Sequence, residues 1–329
     1  MKILVTGASG FIGTHLVPRL VQLGHDVRTM GRSTAPPPKL AGIKIEHFYG
    51  DITNPESVKK AVIGCDMVYH LAGLVSYKKK DEFRQNGINV VGTRHVMTAC
   101  LQEGVKRVVH TSSIAAMGIP KRGTIGTEDL EYNLAGRGLT YCDTKHEAEV
   151  EVMKAYKEGL NVIILNPGII FGEGDTHPHH HAIFAAMSKG SLLGVPPGGI
   201  PFSDINDVID AELACIDKGT FGQRYSIVSA NLSFMEAAGV FAKVAGTRRP
   251  LLVIPGPFLV IAGLLSEDIL PGFGVNPPLT RQNAWLCQHK IFFSSEKAQK
   301  ELGIHLTPFE ETVRRTAPYY LGRPLVPVA

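Results

Sequence analysis

The chain opens on an apolar run, Lys2-Ile-Leu-Val-Thr6, that breaks directly into Gly7-Ala-Ser-Gly10-Phe-Ile-Gly13 and then into a stretch with helical periodicity. A strand, a glycine turn and a helix in that order restrict the fold more than any other feature. Gly7 can take the left-handed backbone that a sharp turn needs, Gly10 lets the main chain approach a phosphate, and Gly13 lets the helix press on the strand. The amide-rich N-terminus of that helix, beginning near Phe11, then faces an anion. The layout predicts a site for a nucleotide pyrophosphate, with a dinucleotide as the first reading. Its GxxGxxG spacing makes the loop one residue longer than GxGxxG.

Apolar runs at Ile3–Thr6, Val27–Met30, Met67–His70, Val108–Thr111 and Val162–Asn166 read as strands buried on both faces. Amphipathic segments at Phe11–Leu23, Pro55–Ile63, Glu82–Gln102 and Tyr141–Lys157 alternate with them as helices, the second opened by an Asn54 cap and Pro55. The fold class is therefore α/β, a doubly wound parallel sheet of the Rossmann type. After Pro167 the pattern loosens into shorter segments around Gly194-Val-Pro-Pro-Gly-Gly199 and Asn276-Pro-Pro278. That change suggests a smaller, mainly C-terminal α/β substrate lobe over the carboxyl edge of the sheet. The expected division is a nucleotide-binding domain over residues 1–167 with a returning segment near 203–229, and a substrate lobe over 168–202 and 230–329. The site is expected between them.

With 329 residues, 44% of them hydrophobic, the chain can bury a large core. Its 34 Lys and Arg against 30 Asp and Glu are scattered, which excludes the massed basic face of a nucleic-acid binder. The five cysteines form no CxxC pair, so neither a disulfide framework nor a zinc site is indicated and a reducing cytoplasm fits. The run Leu251 to Leu265 is shorter than a membrane span and interrupted by Pro255, Pro257 and Gly263. It reads as a helix lining the pocket or packing the lobe. The run His177-Pro-His-His-His181 lacks helical spacing and nearby cysteines, so no metal is expected there; it can border a substrate pocket.

Chemistry is concentrated in Tyr141-Cys-Asp-Thr-Lys145, at the start of a helix marked by Thr140 and Asp143 in capping-box spacing. Residues four apart share a helix face, so the Lys145 ammonium can favour ionisation of the Tyr141 phenol. A phenol near pKa ~10 needs about three units of lowering to exchange protons at neutral pH, roughly 4 kcal/mol. A unit charge at about 4 Å supplies that order at an effective dielectric of 20. The hydroxyl of Ser113, just past the strand ending near His110, lies where open α/β sheets place their ligands and is the candidate substrate donor.

The glycine turn, Ser113 and the Tyr141/Lys145 pair, in this order, resemble the extended short-chain dehydrogenase/reductases, a family that includes nucleotide-sugar epimerases, dihydroflavonol reductases and 3β-hydroxysteroid dehydrogenases. The resemblance covers nearly the whole chain. It implies that Gly7, Ser9, Gly10, Phe11, Ile12 and Gly13 hold the cofactor pyrophosphate and that Gly50-Asp51-Ile52 meets adenine. It also implies that His70-Leu71-Ala72-Gly73 is the third cofactor loop, Asn89-Val-Val-Gly-Thr93 the helix motif, and Asn166-Pro167-Gly168 the nicotinamide-side loop. By the same resemblance Tyr141 is the general acid/base, Lys145 binds the nicotinamide ribose and lowers the Tyr141 pKa, and Ser113 polarises the substrate carbonyl.

At the end of the second strand, where an NAD enzyme usually has a carboxylate, stand Gly31 and Arg32. A guanidinium there matches a 2′-phosphate, so NADP(H) is preferred over NAD(H), with Lys39 assisting. Arg28 reads as a surface or secondary contact. The leading expectation is a dihydroflavonol-reductase-like carbonyl reductase or alcohol dehydrogenase acting on a hydrophobic ketone or secondary alcohol. A flavonoid substrate is less favoured, because the plant enzymes' substrate asparagine, five residues beyond the catalytic serine, is Gly118 here. The alternatives are an NAD-dependent nucleotide-sugar epimerase or dehydratase and, from another class, a non-catalytic redox sensor or binding protein. The resemblance suggests a homodimer through the helices at 82–102 and 141–157.

Overall fold

Apolar runs flanked by long helical segments leave few ways to bury both faces of each strand. In the computed structural model, which describes residues 1–175, 185, 186, 190, 192–270 and 279–321, they pair side by side. The main sheet contains β1 (Lys2–Thr6), β2 (Asp26–Gly31), β3 (Glu46–Tyr49), β4 (Met67–His70), β5 (Arg107–Thr111), β6 (Val162–Pro167) and β10 (Arg224–Ile227). These seven strands lie in the order β10-β6-β5-β4-β1-β2-β3, every pair parallel. Five were legible as apolar runs. The strand β3 was not, because it is the sheet edge and its Glu46-His-Phe-Tyr49 is only partly buried.

Parallel neighbours need long crossovers, and helices supply them. On one face α1 (Phe11–Gln22) and α6 (Ile205–Ala214) cover Ile3, Val5, Met67, Tyr69, Val109 and Ile163. On the other, α2 (Pro55–Val62), α4 (Gly92–Gln102) and α5 (Thr140–Lys157) cover Leu4, Met30, Val68, Val108, Val162 and Ile164. The segment expected as one helix over Glu82–Gln102 is α3 (Glu82–Asn86), a π-helical turn (Gly87–Val91) and then α4 without a break. Inside that wider turn Asn89 is buried. Its amide accepts from Leu74 N at 2.7 Å and donates to Leu74 O at 3.0 Å and Thr144 Oγ1 at 3.2 Å, fixing the loop after β4 onto α5.

Beyond the sheet's carboxyl edge, β7 (Ile169–Phe171), β9 (Gly199–Asp204) and β11 (Ala230–Ser233) form a second sheet in the order β11-β9-β7. Two short strands, β8 (Gly194–Val195) and β12 (Leu252–Val253), pair separately. Helices α7 (Phe234–Ala245) and α11 (Phe309–Leu321) close a cluster of Phe171, Phe202, Phe241, Phe309 and Tyr320 around the second sheet. The Ser203 hydroxyl joins the two sheets, accepting from Gly168 N at 2.8 Å and donating to Ile227 O.

Helix α8 (Gly256–Ile269) packs on α9 (Arg281–Leu286) where a Cβ on Gly263 would lie 2.9 Å from Ala284 Cβ. Only Leu259 and Gly263 of α8 are buried, while Phe258, Ile261 and Leu265 face outward. The run expected to line the pocket or pack the lobe thus does the second along one narrow stripe. No described helix is long and apolar enough to cross a membrane. Helix α10 (Glu296–Leu302) packs on β10.

Candidate functional site

The register aligns Thr6 with His70 and His70 with His110, so β1, β4 and β5 end at one level beside β6. The glycine turn, Leu71–Gly73, Ser112-Ser113 and Pro167-Gly168 therefore emerge side by side at the carboxyl edge. Gly7 has φ +70°, and a Cβ there would lie 2.6 Å from Ala72 N. The turn and the loop after β4 thus touch through their backbones, which no other residue at position 7 permits. Gly13 is demanded by packing alone, since its Cβ would meet Ala8 Cα and Gly7 O at 2.6 Å. Gly10 has an ordinary φ of −77° and caps α1 without a side chain, and no acidic residue occupies the first turn. Exposed Ser9 and half-buried Phe11 and Ile12 border this uncapped end. A cradle that admits no Cβ, below a bare helix N-terminus, fits the pyrophosphate of a dinucleotide.

Asp51 accepts from Thr53 N and Thr53 Oγ1, both at 2.9 Å, and Ile52 is buried against Gly92, so the loop after β3 is fixed. At the end of β2, Arg32 is exposed and makes no ion pair among the described residues. Lys39 donates to Gly174 O at 2.7 Å. Arg28 is structural, pairing with Glu46 at 2.9 Å and donating to Ala61 O at 2.7 Å.

Ser113, two residues past β5, has an extended backbone and accepts from Ala115 N at 3.2 Å, starting a 3-10 turn over Ile114–Ala116. Its hydroxyl neighbours the Tyr141 phenol and favours the ionised form of that group. Tyr141 and Lys145 are both buried on the first turns of α5. The capping box expected from Thr140 and Asp143 does not form. The helix has already begun at Thr140, Leu139 is its cap, and Asp143 accepts from Tyr132 OH at 2.6 Å instead.

The electrostatics also differ from the sequence reading. Burial pushes the Tyr141 phenol up to about 12, opposed by the neighbouring Ser113 hydroxyl. The Lys145 ammonium donates to Thr111 O at 3.0 Å. Burial pulls Lys145 down to about 8, opposed by the charge of Glu149. The Tyr77 ring packs edge-on against Tyr141, centroids 5.4 Å apart. Apolar side chains of Ile119, Leu139, Trp285 and Leu286 cluster around Cys142, next to Tyr141. Gly118 has φ +101°, and a Cβ there would lie 2.7 Å from Asn133 Oδ1, so Asn133 occupies the space a side chain at 118 would need.

Under the site runs a polar layer that sequence reasoning missed. Thr6 Oγ1 lies 2.8 Å from His70 Nδ1, and His70 Nε2 lies 2.9 Å from Thr93 Oγ1. His110 packs against His70, centroids 5.2 Å apart, and Thr111 Oγ1 donates at 2.5 Å to Glu212, whose carboxyl burial pushes up to about 8. Burial holds His70 near 3 and His110 well below its ordinary range, so both are neutral. No group of metal ligands occurs among the described residues, and His177–His181 lie outside them.

The sequence profile of the NAD dependent epimerase/dehydratase family matches residues 3–228, the segment that carries every element of this edge from the glycine turn to β10. The chain belongs to that family. Among its relatives, sterol demethylase protein B of Methylococcus capsulatus is 33% identical over 270 residues, covering 82% of each chain. A 3-beta-hydroxysteroid dehydrogenase of Mycolicibacterium neoaurum is 29% identical, covering 97% of this chain and 91% of that one. The crystal structure of gox2253 superposes with a TM-score of 0.83 at 27% identity, over 98% of both chains. This epimerase/dehydratase-family protein is an NAD(P)-dependent oxidoreductase of the extended short-chain type.

Proposed function

We propose that the protein is an NADP(H)-dependent carbonyl reductase or alcohol dehydrogenase acting on a hydrophobic, steroid-like or aryl ketone and its secondary alcohol. Support comes chiefly from the buried Tyr141 and Lys145 side chains, one turn apart on α5 and near Ser113, at the same sheet edge as a glycine cradle suited to a dinucleotide. When bound, the nicotinamide ring gives or takes a hydride at its C4 carbon. Ser113 donates a hydrogen bond to the substrate carbonyl oxygen. Tyr141, whose high pKa keeps it protonated, passes its proton to that oxygen as negative charge develops there, and recovers it in oxidation. Lys145 would hold the nicotinamide ribose and supply positive charge to the same edge. Arg32, exposed beyond Gly31, is assigned to the 2′-phosphate.

The apolar surroundings of Cys142 and the sterol and steroid names of the relatives support a hydrophobic substrate. Gly118 and Asn133 argue against a flavonoid bound as in the plant reductases. The proposal extends to the domain division at residue 167, a cytoplasmic location, and a homodimer through residues 82–102 and 141–157, where Phe83 and Val150 are exposed.

The test is NADPH oxidation measured against steroid, aryl and acyl ketones. Turnover confined to the apolar ketones is the expected result. Purified protein that carries tightly bound NAD, ignores added NADPH and interconverts a nucleotide sugar would refute it in favour of an epimerase.

A further inference from the structure

The chemistry above uses three side chains and leaves a buried carboxylate on the same helix without a role. Glu149 follows Tyr141 by eight residues and Lys145 by four, so the three form one stripe of α5. It is 5% exposed, deep enough that an unpartnered charge would be strongly unfavourable. Its Oε1 accepts from Asn166 Nδ2 at 2.6 Å, and the same amide group donates to the carbonyl of Ser113 at 2.9 Å. Its Oε2 lies 3.5 Å from the Arg224 guanidinium on β10. Arg224 also donates to the carbonyls of Glu128 and Leu130, and the Glu128 carboxylate accepts from Ser226 N at 2.8 Å. Glu149 thus stands where α5, β5, β6 and β10 converge, directly behind the Ser113 turn.

We propose that Glu149 is a positioning residue for the reaction, fixing Ser113 through Asn166 with one carboxylate oxygen and acting as the counter-ion of the Lys145 ammonium. The proposal rests on the roles assigned above to Ser113, Tyr141 and Lys145. Lys145 is faced by Tyr141 and Glu149 on α5, His70 on β4, and His110 and the Thr111 carbonyl on β5. The two histidines are neutral and the phenol is protonated, so Glu149 supplies the negative charge acting on Lys145. Removing that charge leaves burial unopposed and Arg224 unpaired, and both drive the ammonium toward its neutral form at lower pH.

Glu149→Gln keeps the shape and an oxygen that can accept from Asn166, so it removes the charge alone, while Glu149→Leu removes both functions. In Glu149→Gln the alkaline limb of kcat is expected to move toward acid by on the order of one pH unit. Turnover at pH 8.5 then falls by about tenfold while turnover at pH 6 stays close to that of the parent. In Glu149→Leu, turnover is expected to fall at every pH by a further tenfold or so, the loss of one oriented hydrogen bond to a charged group. A uniform fall in Glu149→Gln with an unmoved pH profile would overturn the proposal, and this variant decides the matter if Glu149→Leu does not fold.

A second measurement is independent of turnover. NMR titration of 13Cε-labelled lysine in the full chain, with Lys145 assigned by Lys145→Met, is expected to give a lower midpoint in Glu149→Gln; an unchanged midpoint overturns the proposal. Full turnover in Tyr141→Phe would instead defeat the catalytic assignment, and the lysine midpoint would still report on Glu149.

Discussion

Replacing Gly7 by alanine tests the cofactor cradle through two separable effects. At φ +70° an L side chain costs about 1–2 kcal/mol. The added Cβ would also lie 2.6 Å from Ala72 N and 2.8 Å from Leu71 C, backbone atoms that cannot rotate away, and overpacking of that kind costs typically 1–3 kcal/mol. The sum is about 2–5 kcal/mol. For a large chain each kcal/mol moves Tm by roughly 2–4 °C, so a loss on the order of 4–20 °C is expected. Gly24→Ala is the control, because it has φ +81° but nothing within 4 Å, and should show only the conformational part. Calorimetric titration with NADPH separates cradle from fold: displacement of the loop after β4 should weaken coenzyme at least tenfold in Gly7→Ala and leave Gly24→Ala at parent affinity. Equal Tm losses in the two variants, or undiminished NADPH affinity in Gly7→Ala, would refute the claim that backbone contact between the two loops builds the site.

Three further outcomes are expected. Tyr141→Phe should lower kcat by about 10²–10⁴ while the Kd for NADPH stays within a few-fold, measured by single-turnover kinetics and fluorescence titration. Arg32→Ala should weaken NADPH by roughly ten- to a hundredfold, the worth of a charge-assisted bond, and leave NADH unchanged; equal losses for both coenzymes would refute the 2′-phosphate contact. Glu212, held up to about 8 by burial, binds its proton more tightly folded than unfolded, so its stabilisation is complete below its ordinary pKa and is lost as pH rises through 8. The Tm difference between parent and Glu212→Gln should therefore shift against the parent between pH 5 and pH 8, and a pH-independent difference would contradict the assignment.

Five strands of the main sheet were legible because burial on both faces leaves an unbroken apolar run, as in Met67–His70, whose bounds the sequence reading and the fold share. Edge strand β3 carries no such signal. The π-helical turn was invisible as well, since Gly87–Val91 reads as ordinary helix and the wider turn is selected by the contacts of Asn89 with Leu74 and Thr144. For the site, position along the chain was readable but side-chain direction was not. Tyr141 and Lys145 do share a face, and the bond of Lys145 to the Thr111 carbonyl could not be read from that spacing. Lys39 reaches Gly174 for the same kind of reason, a carbonyl that only the fold brings near. Glu149 could have been found from its spacing, four residues beyond Lys145. Its link to Asn166 and Arg224 could not, because those residues lie 17 and 75 positions further along the chain.

The π-helical turn between α3 and α4 carries a consequence for insertions and deletions. It accommodates about one residue more than an α-helical turn, so trimming a single residue from Gly87–Val91 would yield a smoother, more regular rod. Each residue also sets a step of roughly 100° around the axis. The trimmed rod would turn Asn89 out of its socket or swing α4 off the sheet. A change that improves the local helix would thus unlatch the strap after β4 from the helix bearing Tyr141, and lineages that keep the chemistry should keep the extra residue.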